Sequence, residues 1–286
     1  MYRIINKRDL TDITKLFEVD APLVARRAQA GHFVMVRVAE CGERIPITIA
    51  DYDREAGTVT IVVQEAGKTS AWINALEEGD EFVDFVGPLG QVAPMADSGH
   101  VVLLGGGFGV APIHPVARDL KEKGVEVTSI IGARSEDLLI FEDEMARVSD
   151  RVLVATDDGS KGTHGFVTDV LDAMIEDGES IDEVIAIGPM PMMEATAKVT
   201  RPHGITTWVS MDPIMVDGTG MCGVCRLTVG GEMKFGCVDG PFFDGHQVDF
   251  EEAHKRVKMY ESEERIAYER YQNNEKVCQR GGGCDG

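Results

Sequence analysis

The sequence predicts an antiparallel β-barrel followed by an α/β domain with a parallel sheet, then a small cysteine-bearing segment and a charged terminal helix. Three observations carry this reading. Residues 1–97 form short alternating or β-branched runs separated by turn residues. From His100 the rhythm becomes buried strand, glycine turn, helix and strand again. Beyond Ser210 helical periodicity stops, and glycine and cysteine dominate up to Asp249. A chain of 286 residues is too long for one small core and suits two compact domains with appendages.

In the first domain, Phe33–Val38, Thr58–Val63 and Glu81–Val86 read as strands, with Asp53–Gly57 and Gly87–Gly90 as turns. Such a meander closes as a small barrel. At the end of one strand pattern, Arg44-Ile45-Pro46-Ile47-Thr48 offers a guanidinium for a diphosphate and a hydroxyl for a flavin ring edge. Gly67-Lys68-Thr69-Ser70 precedes a helical stretch, where small residues leave N–H groups free for phosphate. Taken singly, each also reads as a strand-end Arg or a plain helix cap.

The second domain spans residues 98–209. Its buried strands are Val101–Leu104, Val125–Ile131, Val152–Ala155 and Val184–Ile187, with a helix over Ala111–Lys123. The turns that follow parallel strands share one carboxyl edge, which is where ligands bind. The turn at Gly106, Gly107, Gly109, Val110, Ala111 and Pro112 resembles a dinucleotide loop, although Val110 stands at the last glycine position. Gly132-Ala133-Arg134, Asp157 and Gly188-Pro189-Met190 converge on the same edge. Arg134 and Ser135 suit a 2′-phosphate, whereas Glu136 and Asp137 favour NAD(H), so the choice stays open. The methionines also read as core filler.

The segment 210–249 contains Asp217-Gly218-Thr219-Gly220-Met221-Cys222-Gly223-Val224-Cys225 and, further on, Cys237. The pattern C-x4-C-x2-C…C belongs to plant-type [2Fe-2S] sites, with Asp217 standing at the first ligand position. A carboxylate is a harder donor than a thiolate and shifts the potential. A zinc site of three thiolates with His246 has similar ingredients, yet the register favours iron and sulfide. Cys41 reads as an ordinary buried thiol.

Residues 250–286 are expected to form a charged helix over 250–273, with the stripe Phe250, Ala253, Val257, Tyr260, Ala267 and Tyr271, and a disordered glycine-rich tail bearing Cys278 and Cys284. The helix suits either solvent or another subunit. Against 28 basic side chains stand 49 acidic ones, a formal charge of -21 that argues against nucleic acid or an anionic membrane as partner. With no apolar signal core at Met1–Ile5 and no membrane-length run, the expected location is cytoplasmic.

The order from Arg44–Thr48 through Gly105–Pro112 and Gly188-Pro189 to the segments Met215–Arg226 and Phe235–Pro241 resembles the ferredoxin-NADP reductase superfamily. Within it, the chain looks like electron-transfer subunits of bacterial dihydroorotate dehydrogenase B and, more closely, small subunits of NADH-dependent ferredoxin:NADP oxidoreductases. The resemblance implies FAD on the barrel, at Arg44, Pro46, Ile47, Thr48, Val62 and Gly67–Ser70, and NAD(H) on the α/β domain. It implies a [2Fe-2S] cluster on Asp217, Cys222, Cys225 and Cys237. It further implies a larger flavin and [4Fe-4S] partner subunit, where ferredoxin reacts, and a role as the NAD(H)-facing arm of an electron-bifurcating heterodimer. The dihydroorotate subunits carry Cys at the position of Asp217. Ile47 departs from the aromatic residue that stacks on the flavin in many members. Hydride transfer needs positioning, so no side chain is expected as catalytic acid or base.

Overall fold

The computed structural model describes residues 2–273; the expectation for Cys278 and Cys284 lies outside them. The first domain holds β1 (Tyr2–Asp9), β2 (Thr14–Asp20), α1 (Pro22–Ala25), β3 (Phe33–Arg37), β4 (Ile45–Asp53), β5 (Thr58–Gln64), α2 (Lys68–Asn74), β6 (Glu81–Phe82) and β7 (Asp84–Leu89). Its sheet runs β6-β1-β2-β5-β4-β3-β7. The two edges, β6 and β7, are separated in the chain by Val83 alone, so the sheet must curl until its edges nearly meet. The run 81–86, expected as one strand, is therefore two strands that pair with opposite edges. Phe17, Ile49, Ile61, Phe82 and Phe85 fill the barrel.

The second domain contains β8 (His100–Gly106), α3 (Val110–Glu122), β9 (Glu126–Ala133), α4 (Glu142–Val148), β10 (Arg151–Thr156), β11 (Thr163–His164), α5 (Val167–Glu176), β12 (Glu183–Ile187), α6 (Met190–Thr200) and β13 (Thr206–Ser210). Strands β8 to β13 are parallel, in the order β11-β10-β9-β8-β12-β13. The chain winds one way from β8 to β10 and the other way from β12 to β13, so the crevice of a doubly wound sheet opens between the ends of β8 and β12. The core between barrel and sheet joins Ala50 and Val62 to Ile113, Val116 and Leu120 of α3.

The third segment contributes the hairpin β14 (Arg226–Val229) and β15 (Glu232–Phe235), then β16 (Phe242–Asp244), which returns to pair antiparallel with β13. The terminal helix is not continuous: α7 (Phe250–Val257) passes through a 3₁₀ turn at Lys258–Tyr260 into α8 (Glu261–Gln272). No glycine or proline forces the bend. The two halves pack on different partners, since Arg256 donates to the Val224 carbonyl while Tyr268 hydrogen-bonds Glu65 of the barrel. Cys41 is half-buried, more open to solvent than the buried thiol expected. Among the described residues, no helix is long and apolar enough to cross a membrane.

Candidate functional site

Because β4 and β5 run antiparallel, the start of β4 and the end of β5 lie at the same end of the barrel. This brings the segment Arg44–Thr48 beside Gly67–Ser70, two groups expected from sequence to share one ligand. Glu43 joins them directly. Lys68 Nζ donates to one oxygen of its carboxylate at 2.7 Å, and the Thr69 hydroxyl donates to the other. Burial pushes the Glu43 carboxyl up, but these two hydrogen bonds outweigh it and hold the group below its ordinary value. Lys68 and Thr69 are thus already aimed at an anion. At Gly67 an added Cβ meets no atom within 4 Å, so the turn is open to a ligand. Ser70 Oγ accepts from the Ala66 and Gly67 amides, both at 2.9 Å, and serves as the cap of α2.

Arg44 is exposed at the barrel rim and shares Asp84 with Arg37: its Nε donates at 2.8 Å and the Arg37 Nε at 2.7 Å. Pro46, Ile47 and Thr48 are half-buried, with Ile47 packed on the barrel core. Val62 differs from expectation. Its side chain is buried between barrel and α3 and packs there. The donor set of Arg44, Lys68, Thr69 and the open turn fits a diphosphate. Arg44→Ala is expected to weaken FAD binding about 10–100-fold, from about 1.5–3 kcal/mol for a charge-assisted bond, read by flavin retention on dilution.

On the α/β domain, the turn after β8 and the turn after β12 interlock. An added Cβ at Gly109 would overlap the Ile187 carbonyl oxygen, and one at Gly106 would fall 2.5 Å from Met192 Sδ. Gly107 adopts a left-handed φ of 57° and leaves open space beside it. Val110, Ala111 and Pro112 are buried in the core, so only their backbone can face a ligand. Gly132 packs against Val167 and Met190 lies in the core, both as structural filler. Ala133, exposed Arg134, exposed Asp157 and exposed Pro189 complete the carboxyl edge, with the Asp157 amide donating to the Ala133 carbonyl at 3.1 Å. Phe108, half-exposed on the glycine turn, and Met192, lying across both turns, also border this edge but escape a motif search that looks for glycines.

In the third segment, Cys225 and Cys237 are buried free thiols, the Cys225 Sγ donating to the Cys237 Sγ at 3.1 Å. Burial and the neighbouring thiol raise the Cys237 pKa, opposed by the Gly220 amide directed at its sulfur. Asp217 pairs instead with exposed Cys222. Its Oδ1 accepts from the Thr219 amide at 2.8 Å and its Oδ2 from the Cys222 amide at 2.9 Å, bonds that hold its carboxyl below the ordinary value. Among the described residues, no three His, Cys, Asp or Glu side chains converge on one ion. Two pairs of donors fit two metals with two protein ligands each, which is the ligand economy of a [2Fe-2S] centre. His246, needed for zinc, has Nε2 2.9 Å from the Thr200 hydroxyl of α6, away from the thiols.

The loop lies against the barrel. Gly218, at φ 76°, allows a close approach, because an added Cβ would stand 2.7 Å from Met35 Cγ and 3.0 Å from Leu89 Cδ1. Phe33, Met35, Met215, Cys225 and Cys237 form one apolar cluster. On β3, Phe33 is paired with Thr48 of β4, and Met35 with Pro46. The buried thiols therefore pack on the strand adjacent to the expected flavin contacts.

Two family models match the chain: an iron-sulfur cluster binding domain of dihydroorotate dehydrogenase B over residues 212–249, and an oxidoreductase NAD-binding domain over residues 103–198. A dihydroorotate dehydrogenase B (NAD(+)) electron transfer subunit homolog of Thermotoga maritima is 45% identical over 268 residues, covering 94% of each chain. The corresponding electron transfer subunit of Geobacillus thermodenitrificans is 33% identical, over 86% of this chain and 96% of its own. A solved chain of NADH-dependent reduced ferredoxin-NADP oxidoreductase, studied for flavin-based electron bifurcation, is 43% identical and superposes with a TM-score of 0.90, covering 95% of this chain and 98% of that one.

Proposed function

The chain belongs to the family of electron-transfer subunits of dihydroorotate dehydrogenase B and their homologues, and on that premise we propose that it carries electrons between NAD(H) and a larger partner subunit. It is a redox enzyme subunit with FAD, NAD(H) and a [2Fe-2S] cluster as cofactors. When bound, FAD would supply the chemistry that converts a two-electron hydride donor into single-electron transfers. The chain's own residues arrange this transfer. Arg44, Lys68 and Thr69 hold the flavin diphosphate, with Pro46, Ile47 and Thr48 along its ring edge. The turns at Gly106–Gly109 and Gly188-Pro189, flanked by Ala133, Arg134 and Asp157, seat the dinucleotide. Asp217, Cys222, Cys225 and Cys237 would hold the cluster.

The observation that carries this reading is the apolar cluster uniting Cys225 and Cys237 with Phe33 and Met35, one strand away from Pro46 and Thr48. It supports a short path from flavin to cluster inside one chain. Anaerobic NADH is expected to bleach the flavin of the purified protein and then its cluster. A flavin that stays oxidised with excess NADH would refute the reading.

The partner we infer is that of an electron-bifurcating NADH-dependent reduced ferredoxin-NADP oxidoreductase, a cytoplasmic flavin and [4Fe-4S] subunit through which ferredoxin reacts. Asp217, in place of a cysteine, and full-length similarity to the bifurcating relative favour it. The dihydroorotate system is the second reading, favoured by the names of the curated relatives. Copurification decides: a partner with [4Fe-4S] clusters supports the first, a dihydroorotate-oxidising one the second.

A further inference from the structure

Barrel and α/β domain meet most extensively where α3 lies against β4. These two elements each begin at a cofactor segment. β4 starts directly after Arg44, and α3 starts at the glycine turn. Midway along β4 the ladder to β5 slips: Ile49 faces Ile61, but Asp51 faces Thr60, which leaves Ala50 as an extra residue. A bulge of this kind bends a strand and re-aims the side chains after it.

Helix α3 grips this bulge at two points, Asp51 and Tyr52. His114 and Arg118, four residues apart, share one face of the helix. His114 sits beside the bulge with its ring edge-on to Phe141 at 5.9 Å, and its buried Nδ1 has no hydrogen-bond partner among the described residues. Arg118 forms an ion pair with Asp51 through NH1, and its guanidinium lies 4.9 Å from the centre of the Tyr52 ring. Arg54 stacks at 4.8 Å on the same ring and donates to the Ala28 carbonyl at 2.8 Å. Burial lowers the pKa of Arg118, but Asp51 outweighs it and raises the value above the ordinary one, so the guanidinium stays charged. None of these five residues belongs to either expected cofactor contact set.

We propose that Arg118 is a positioning residue for hydride transfer: by locking Asp51 and Tyr52 of the bulged strand to α3, it fixes the spacing between the flavin end of the barrel and the dinucleotide turn. The inference rests on the flavin-to-NAD(H) reading above. Domains of one chain move relative to each other unless their interface holds them. A misplacement of about 1 Å at reacting atoms costs roughly 10²-fold in rate. From Thr48 to Asp51 is about 10 Å of strand, and from Gly109 to Arg118 about 14 Å of helix. Both are stiff levers, so slack at the clamp reaches the cofactors.

The test compares Arg118→Met, Asp51→Asn and wild type as full-length, cofactor-loaded proteins mixed with NADH anaerobically. The expected variants keep flavin and iron, and their half-saturating NADH stays within about threefold. Their limiting rate of flavin bleaching falls about 10–100-fold, and the long-wavelength NADH–flavin charge-transfer band weakens. The double variant is no slower than either single one, since the pair acts as a unit. Without nucleotide, amide exchange rises at residues 49–53. If Arg118→Met does not fold, Arg118→Lys and Tyr52→Leu carry the test, each with a rate loss of about threefold or more. Bleaching within twofold of wild type together with an unchanged charge-transfer band overturns the proposal. A wild-type flavin that ignores NADH overturns instead the reading beneath it.

Discussion

Cys222→Ser protein is expected to purify without the visible absorbance of an iron-sulfur cluster, its iron and acid-labile sulfide down at least tenfold and its flavin content unchanged. Cys222 is the informative cysteine because it is exposed. Serine there empties no core and leaves no buried hydroxyl, so a lost spectrum reports lost ligation and not misfolding. Cys225→Ser also removes a ligand, but it puts a hydroxyl into the cluster of Phe33, Met35 and Met215, at about 1–3 kcal/mol if unpaired. Both variants losing the cluster while only Cys225→Ser lowers the thermal midpoint beyond that of cluster-free wild type is the full expectation. Stoichiometric zinc without sulfide, or an intact cluster in Cys222→Ser, contradicts the assignment.

Gly109→Val is expected to stop NADH from reaching the flavin. The added side chain overlaps the Ile187 carbonyl and lies close to Gly188, so the turns after β8 and β12 must part at the mouth of the crevice. Overpacking of this kind costs about 1–3 kcal/mol in stability. The larger effect is on function: the rate of flavin bleaching by NADH should drop about 100-fold or more, because both dinucleotide turns are displaced together. Dithionite, which needs no binding site, should still reduce flavin and cluster at the wild-type rate. Equal loss of both reductions would place the defect in the flavin domain and not in the crevice.

Much of this was legible in the residues. Buried apolar runs followed by glycine mark β8 and β12, because a strand covered on both faces has no room for alternation. The cysteine spacing marks the loop because ligand geometry is local. What stayed hidden is set by chain closure and long-range contact. Whether residues 81–86 are one strand or two depends on where the barrel edges meet, which no six-residue window contains. The bulge at Ala50 shows no glycine, and Arg118, which pairs with the following residue Asp51, is 67 positions from it. Glu43 reads as a loop carboxylate until α2 brings Lys68 and Thr69 to it. Val62 and Met190, matched by position, turn inward, since a strand's two faces and a helix's stripe are assigned only by what packs on them.

The two halves of the cysteine loop differ in shelter. Cys225 and Cys237 are sealed behind Phe33 and Met35, whereas Cys222 and Met221, 89% exposed, form the outer lip. Peroxide or dioxygen arriving from solvent meets those two sulfurs first. Oxidative wear on this protein therefore starts at one rim and proceeds inward, and whatever covers that rim also acts as its shield against air.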